Sequence, residues 1–321
     1  MQTKYCINGW IPVRYAWLSM PESGGASPPI HLFGRTTMAK IQLVITDLDG
    51  TFLDNPDEMN ADNVRAMHQC EAQGVAVRCV TARGYHNIKR LLAVGQWKGM
   101  CVTNNGAAIH DIETGKAVYR NTIEKEQVRQ ILTLCKQAEA VNLFASAGTF
   151  SVTCTEFPRQ INARMSHVPK ADPMQWPEEQ RPVQIQTHSI DEMVEALGDD
   201  TELLCIHGKD GREFSGAFYR SIIQLGDFML TSSHPGGFDI MAAGSTKREG
   251  AKRLASMMGI GAQNVMACGD LYNDVGMVKW AGVGVAMGDG CEELKRVADY
   301  VSVPHDAGGV ADAMRKYVLQ A

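Results

Sequence analysis

Short apolar, β-branched runs alternate with helical patterns at both ends of this 321-residue chain, and that alternation leaves few folds open. Ile41 to Thr46 reads as a buried strand, Asn60 to Gln73 as a helix stopped by Gly74, and Val75 to Val80 as the next strand. A helix from Tyr85 to Val94 and a strand from Met100 to Thr103 follow. The rhythm returns with a helix at Lys247 to Met258, a strand at Asn264 to Cys268, a helix at Leu271 to Lys279 and a strand at Val283 to Ala286. Helical patterns at Glu292 to Ala298 and Val310 to Leu319 complete it. The alternation predicts an α/β fold, a doubly wound parallel sheet assembled from the two ends of the chain.

The middle of the chain keeps a different period. Asn105-Gly106 is a strong hairpin-turn pair, and a second turn lies at Glu113-Thr114-Gly115. Helical patterns at 124–140 and 190–197 alternate with strand-like pieces such as Leu203 to Ile206 and Phe238 to Met241. An insertion between two halves of one sheet predicts a second, α+β domain over 106–241, with 38–105 and 242–321 forming the first. Residues 1–37 carry Pro21, Pro28, Pro29 and a Gly-Ser-rich patch without helical or strand period. They read as a disordered or poorly packed extension.

Composition excludes several function classes. Charged residues make up 21% with both signs interleaved and a net charge of −5, so no basic face for nucleic acid emerges. No apolar run reaches the ~18 residues of a membrane helix. The nine cysteines stand singly, with no Cys-x-x-Cys pair, which predicts buried thiols in a reducing, cytoplasmic setting rather than disulfides or zinc. The histidines, including His167, His188, His207 and His234, show no ligand spacing and are expected on the surface or in the insertion. Met257-Met258 reads as core packing. The pattern shows no long exposed apolar seam, which favours a monomer.

Four short motifs carry the chemistry. Asp47-Leu48-Asp49-Gly50-Thr51 directly follows the first strand, where ligands of open parallel sheets sit. A calcium loop would need Gly at its sixth position, where Phe52 stands. Thr81 ends another strand, in Val80-Thr81-Ala82-Arg83, and Lys247 opens a helix after Gly244-Ser245-Thr246. Gly269-Asp270-Leu271-Tyr272-Asn273-Asp274 ends a third strand; two carboxylates and an amide crowded there are costly without a cation. Gly282-Val283-Gly284 through Gly288 lacks the spacing of a dinucleotide loop and reads as a strand with small neighbours.

In order and residue type these motifs resemble the haloacid dehalogenase superfamily, in particular its Cof-type branch, which inserts a large cap between the second and third motifs. The resemblance spans about Ala39 to Leu319 and includes Asn104-Asn105-Gly106-Ala107, Val285-Ala286-Met287-Gly288 and Gly308-Gly309-Val310. Ala82, Leu271 and Asp289-Gly290 depart from its usual residues without removing a reactive group. The resemblance implies a phosphatase acting on small phosphorylated metabolites. Asp47 would be the nucleophile and Asp49 the general acid/base, its carboxyl raised by an acidic neighbour and partial burial. Mg²⁺ would be held by Asp47, the Asp49 main-chain carbonyl and Asp270. Thr81, Lys247 and Asn273 would bind phosphate, Asp274 would orient Lys247 or a metal water, and Arg83 would be a supporting residue, structural or peripheral. A phosphomutase or an inactive binding protein would share the same motifs.

Overall fold

The computed structural model describes residues 40–159, 176–231 and 237–319. The expected N-terminal extension, His167 and His234 lie outside them.

The chain enters through β1 (Leu43–Thr46), which ends at Asp47, and a small hairpin of β2 (Leu53–Asn55) and β3 (Glu58–Met59). It continues through α1 (Ala61–Ala72), β4 (Ala76–Cys79), α2 (Tyr85–Val94) and β5 (Met100–Thr103). The Asn60 side chain caps α1 by accepting from the Asp62 and Asn63 amides at 2.9 and 3.1 Å, satisfying donors left open by the first turn. Next come β6 (Ala108–Asp111), β7 (Ala117–Arg120), α3 (Lys125–Gln137), β8 (Val141–Ala147), β9 (Phe150–Cys154) and β10 (Val183–Thr187). Then follow α4 (Ile190–Leu197), β11 (Leu203–His207), α5 (Gly216–Leu225), β12 (Phe228–Thr231) and β13 (Gly237–Ala242). The return segment holds α6 (Lys247–Met257), β14 (Val265–Gly269), α7 (Val275–Trp280), β15 (Val283–Ala286), α8 (Glu292–Lys295), β16 (Tyr300–Val301) and α9 (Gly309–Met314).

β16-β15-β14-β1-β4 form a parallel sheet, and a bridge between Val80 and Val102 extends it toward β5. Its strands bury both faces. Val44 packs with α1 and α9 residues such as Met67 and Val310, while Leu43 and Ile45 pack with Leu254 and Val278 from α6 and α7. Two helical layers over one parallel sheet leave its carboxyl edge as the place where side chains meet a ligand.

The second sheet runs β10-β9-β8-β11-β13-β12, antiparallel except for the β9–β10 pair. Helices α3, α4 and α5 cover one face through Ile131, Leu132, Val194 and Ile222. Alternation along β11 and β13 sends Leu203, Cys205 and Met241 to the other face, where they pack against Ala107 at the end of the first domain's turn. The insertion thus turns its open face toward the carboxyl edge of the first sheet.

The hairpin β6–β7 belongs with the first sheet: β6 pairs with β5, and Ile109 and Tyr119 pack in the cluster around Ile45. The boundary expected at 106 falls just ahead of this hairpin, and the second cluster begins only at Ile123. Other details differ from the sequence reading. Tyr272–Asp274 is a 3₁₀ turn ahead of α7, and the last helix passes into a π-helical turn at Arg315–Leu319. Met257 is exposed while Met258 packs inward, because α6 ends between them and the chain turns back at Gly259. His86 and His110 are buried in the first domain rather than superficial, and His207 is buried in the insertion's sheet.

Candidate active site

Asp47 emerges from β1, Asp270 and Asp274 from the end of β14, and Lys247 from the first turn of α6. Thr246 caps that helix by accepting from the Glu249 amide at 3.1 Å, which fixes the direction in which Lys247 leaves it. Lys247 Nζ lies 2.9 Å from Asp47 Oδ1 and 2.7 Å from Asp274 Oδ1. The second Asp274 oxygen accepts from the Asp270 and Leu271 amides, both at 3.1 Å. Asp274 is therefore fully engaged as the anchor of Lys247. Thr51, inside the first motif, donates its hydroxyl to Asp270 Oδ1 at 2.9 Å. Gly50 has φ +70, and a Cβ there would collide with Asp270 Oδ2; only glycine lets the two acidic loops meet so closely.

Oxygens of Asp47, Asp270 and Asp274 lie within 4.8 Å of one another, all three residues buried. Burial raises Asp47 well above the usual carboxylate range, with Asp274, Asp270 and Asp49 adding repulsion that Lys247 opposes. Burial also pushes Asp270 up to about 7, again helped by Asp274. Lys247 is held charged: burial disfavours its ammonium, but Asp274 and Asp47 together override that. A site with this many carboxylates and one ammonium fits a hard divalent cation, because all the donors are oxygens and the excess charge is negative.

Thr81, just past β4, is fully buried; its hydroxyl oxygen accepts from the Arg83 amide at 3.1 Å and keeps its own hydrogen to donate. The Asn105 amide donates to the Thr81 carbonyl at 3.0 Å, and Asn273 Nδ2 donates to Asn105 Oδ1 at 3.2 Å. One turn thus ties the second motif to the fourth.

Arg83, expected to be structural or peripheral, grips Asp49 with two guanidinium nitrogens, Nε at 2.7 Å from Oδ2 and a terminal nitrogen on Oδ1. A third nitrogen donates to the Pro56 carbonyl of the β2–β3 turn at 2.9 Å. Asp49 thus has a cationic partner, Arg83, that the sequence did not mark, beside the acidic neighbours it did, Asp47 and Asp270. Thr51, Asn105 and Asp239 were not singled out as site residues. Thr51 stands in the quoted motif and Asn105 in the quoted turn, but nothing local marks Asp239, which arrives from β13.

The sequence profile of haloacid dehalogenase-like hydrolases matches residues 44–314, and the chain belongs to that family. Within it, the chain is a Cof-type phosphatase, a phosphoric monoester hydrolase. It is 28% identical over 295 residues to phosphatase YwpJ of Bacillus subtilis, covering 86% of this chain and 99% of that one. It is 27% identical to the 5-amino-6-(5-phospho-D-ribitylamino)uracil phosphatase YcsE of the same organism, covering 87% and 96%. Among solved structures, a haloacid dehalogenase-like hydrolase from B. subtilis superposes with a TM-score of 0.71 at 26% identity, over 86% of this chain and 99% of the other. One from Bacteroides thetaiotaomicron gives 0.69 at 23%, over 86% and 99%, and shares the fold.

Proposed function

We propose that the protein is a Mg²⁺-dependent phosphatase of small phosphorylated metabolites that works through a phosphorylated Asp47. The observation that carries this reading is the buried Lys247 held between Asp47 and Asp274, beside Asp270. Asp47, Asp270 and the Asp49 main-chain carbonyl would hold Mg²⁺, which when bound neutralises charge on the phosphoryl group and the carboxylates.

An Asp47 oxygen attacks phosphorus, the bond to the leaving oxygen breaks, and that oxygen takes a proton from Asp49. Water then attacks the acyl phosphate and gives its proton to the Asp49 carboxylate, which restores Asp47 and frees phosphate. Before the first step Asp49 must leave Arg83 and carry a proton, so opening of that pair precedes transfer. Lys247 supplies a fixed positive charge to Asp47 and the phosphoryl group, and Thr81 and Asn273 donate to the phosphoryl oxygens. The open face of the inserted sheet closes the site from above and limits substrates to small ones.

Among the described residues no helix is long and apolar enough to cross a membrane. The described cysteines are all free thiols, which supports a reducing compartment, the cytoplasm.

The test is phosphate release with and without Mg²⁺ across sugar phosphates and the ribitylamino-uracil phosphate named for YcsE, beside Asp47→Asn. Metal-dependent release by the wild type alone is expected. Release undiminished in Asp47→Asn would refute the reading, and interconversion of phosphate isomers without release would make the protein a mutase.

A further inference from the structure

Asn104, Asn105 and Gly106 form three successive residues of positive φ (50, 53 and 95°) between β5 and β6. Left-handed asparagines cost energy and persist only where the surroundings fix them. Both asparagine side chains are buried, and a Cβ on Gly106 would collide with the Thr246 carbonyl that begins the Lys247 helix. The turn is wedged between the two domains. Asn104 Nδ2 donates to Glu202 Oε2 at 2.6 Å and Asn105 Nδ2 donates to Asp239 Oδ2 at 3.2 Å, both acceptors belonging to the insertion.

We infer that Asp239 and Asn105 are positioning residues that fix which end of the Asn273 amide faces the phosphoryl group. An amide side chain has a donor end and an acceptor end, and rotation by half a turn exchanges them. A carboxylate presents acceptors, so Asp239 draws the NH₂ of Asn105 toward itself. The Cys205 thiol, directly across the β11–β13 ladder, is a second donor to Asp239. With its NH₂ so placed, Asn105 turns its oxygen to Asn273 and accepts from Asn273 Nδ2 at 3.2 Å. Were Asn105 reversed, its NH₂ would face Asn273 and draw that residue's oxygen, leaving the donor end misplaced. A strand of the insertion thereby sets the polarity of a group in the first domain's site. This rests on the assignment of Asn273 to phosphate proposed above.

The test is the inhibition constant of inorganic phosphate, measured in folded variants with circular dichroism as control. Asp239→Asn offers Asn105 a donor as well as an acceptor, and phosphate binding is expected to weaken about tenfold. Asn105→Asp sets two carboxylates against each other and should weaken it further. The double variant Asn105→Asp with Asp239→Asn restores a single polarity, since the carboxylate then standing in the turn accepts from both neighbours, and should recover most of the affinity. In an Asn273→Ala background, Asp239→Asn should have no further effect; a purely structural role would leave its effect intact there. An unchanged constant in Asp239→Asn, or the same change with Asn273 removed, would overturn the inference. A wild type that hydrolyses no phosphate ester would instead refute the functional reading beneath it.

Discussion

Three buried carboxylates and one buried ammonium crowd the carboxyl edge of the first sheet. The helix-covered face of the second sheet instead gathers apolar side chains such as Ile131, Val194 and Ile222. Charged pairs of the insertion, for example Lys125 with Glu195 and Lys136 with Glu156, stand at its surface. Both regions are well packed, but they use packing to opposite ends. In the insertion, burial is the source of stability. At the edge of the first sheet, burial holds carboxylates together against their repulsion, which is destabilising until a cation or a phosphoryl group joins them. The comparison separates where bond chemistry resides from where the shape of the enclosure is set.

The largest effect should come from breaking the charged cluster at its centre. Asp47→Asn is expected to lower turnover by about a thousandfold or more, read by phosphate release under saturating substrate.

That cluster was also the most legible part of the chain. Asp47, Thr81, Lys247 and Asp270 each close a strand or open a helix, and such ends lie together in a parallel sheet whatever the loops do. The insertion was less legible because its strands pair across long separations. The parallel β9–β10 pair and the placement of β12 beside β13 depend on partners that no local pattern reveals. Arg83 and Asp239 were obscured for the same reason: their partners, Asn105 among them, come from other segments. The β2–β3 hairpin is short and polar, so it carries no strand period, and buried His86 and His110 lie in elements whose depth the sequence does not state.

Lys247→Met leaves Asp47 and Asp274 buried without their shared cation. A loss of about 3–5 kcal/mol in denaturant unfolding without Mg²⁺ is expected, and wild-type stability in that variant would break the contrast drawn here. Arg83→Ala removes a pair that must open before transfer and should raise turnover by about twofold to tenfold, with Lys falling between, since a point charge cannot hold both Asp49 oxygens.

The pH dependence sharpens the same contrast. Asp270 has its folded-state pKa raised to about 7, so the ion-free protein loses stability as pH rises through that value. Mg²⁺ cancels the loss and competes with the proton below it. The rise in Tm on adding Mg²⁺ should therefore grow between about pH 6 and about pH 8. In scanning fluorimetry, an increment independent of pH would contradict this. The smallest effect belongs to the insertion's core. Ile131→Val should cost about 1 kcal/mol and leave turnover within about twofold, because it touches packing alone.

Covalent capture of the phosphoryl group tests the account at its root. Acid quenching of the enzyme during turnover, followed by peptide mass spectrometry, should find phosphate on Asp47 in the wild type and none in Asp47→Asn. Product formed in a single turnover with no phosphorylated Asp47, or with the phosphate on another residue, would contradict it.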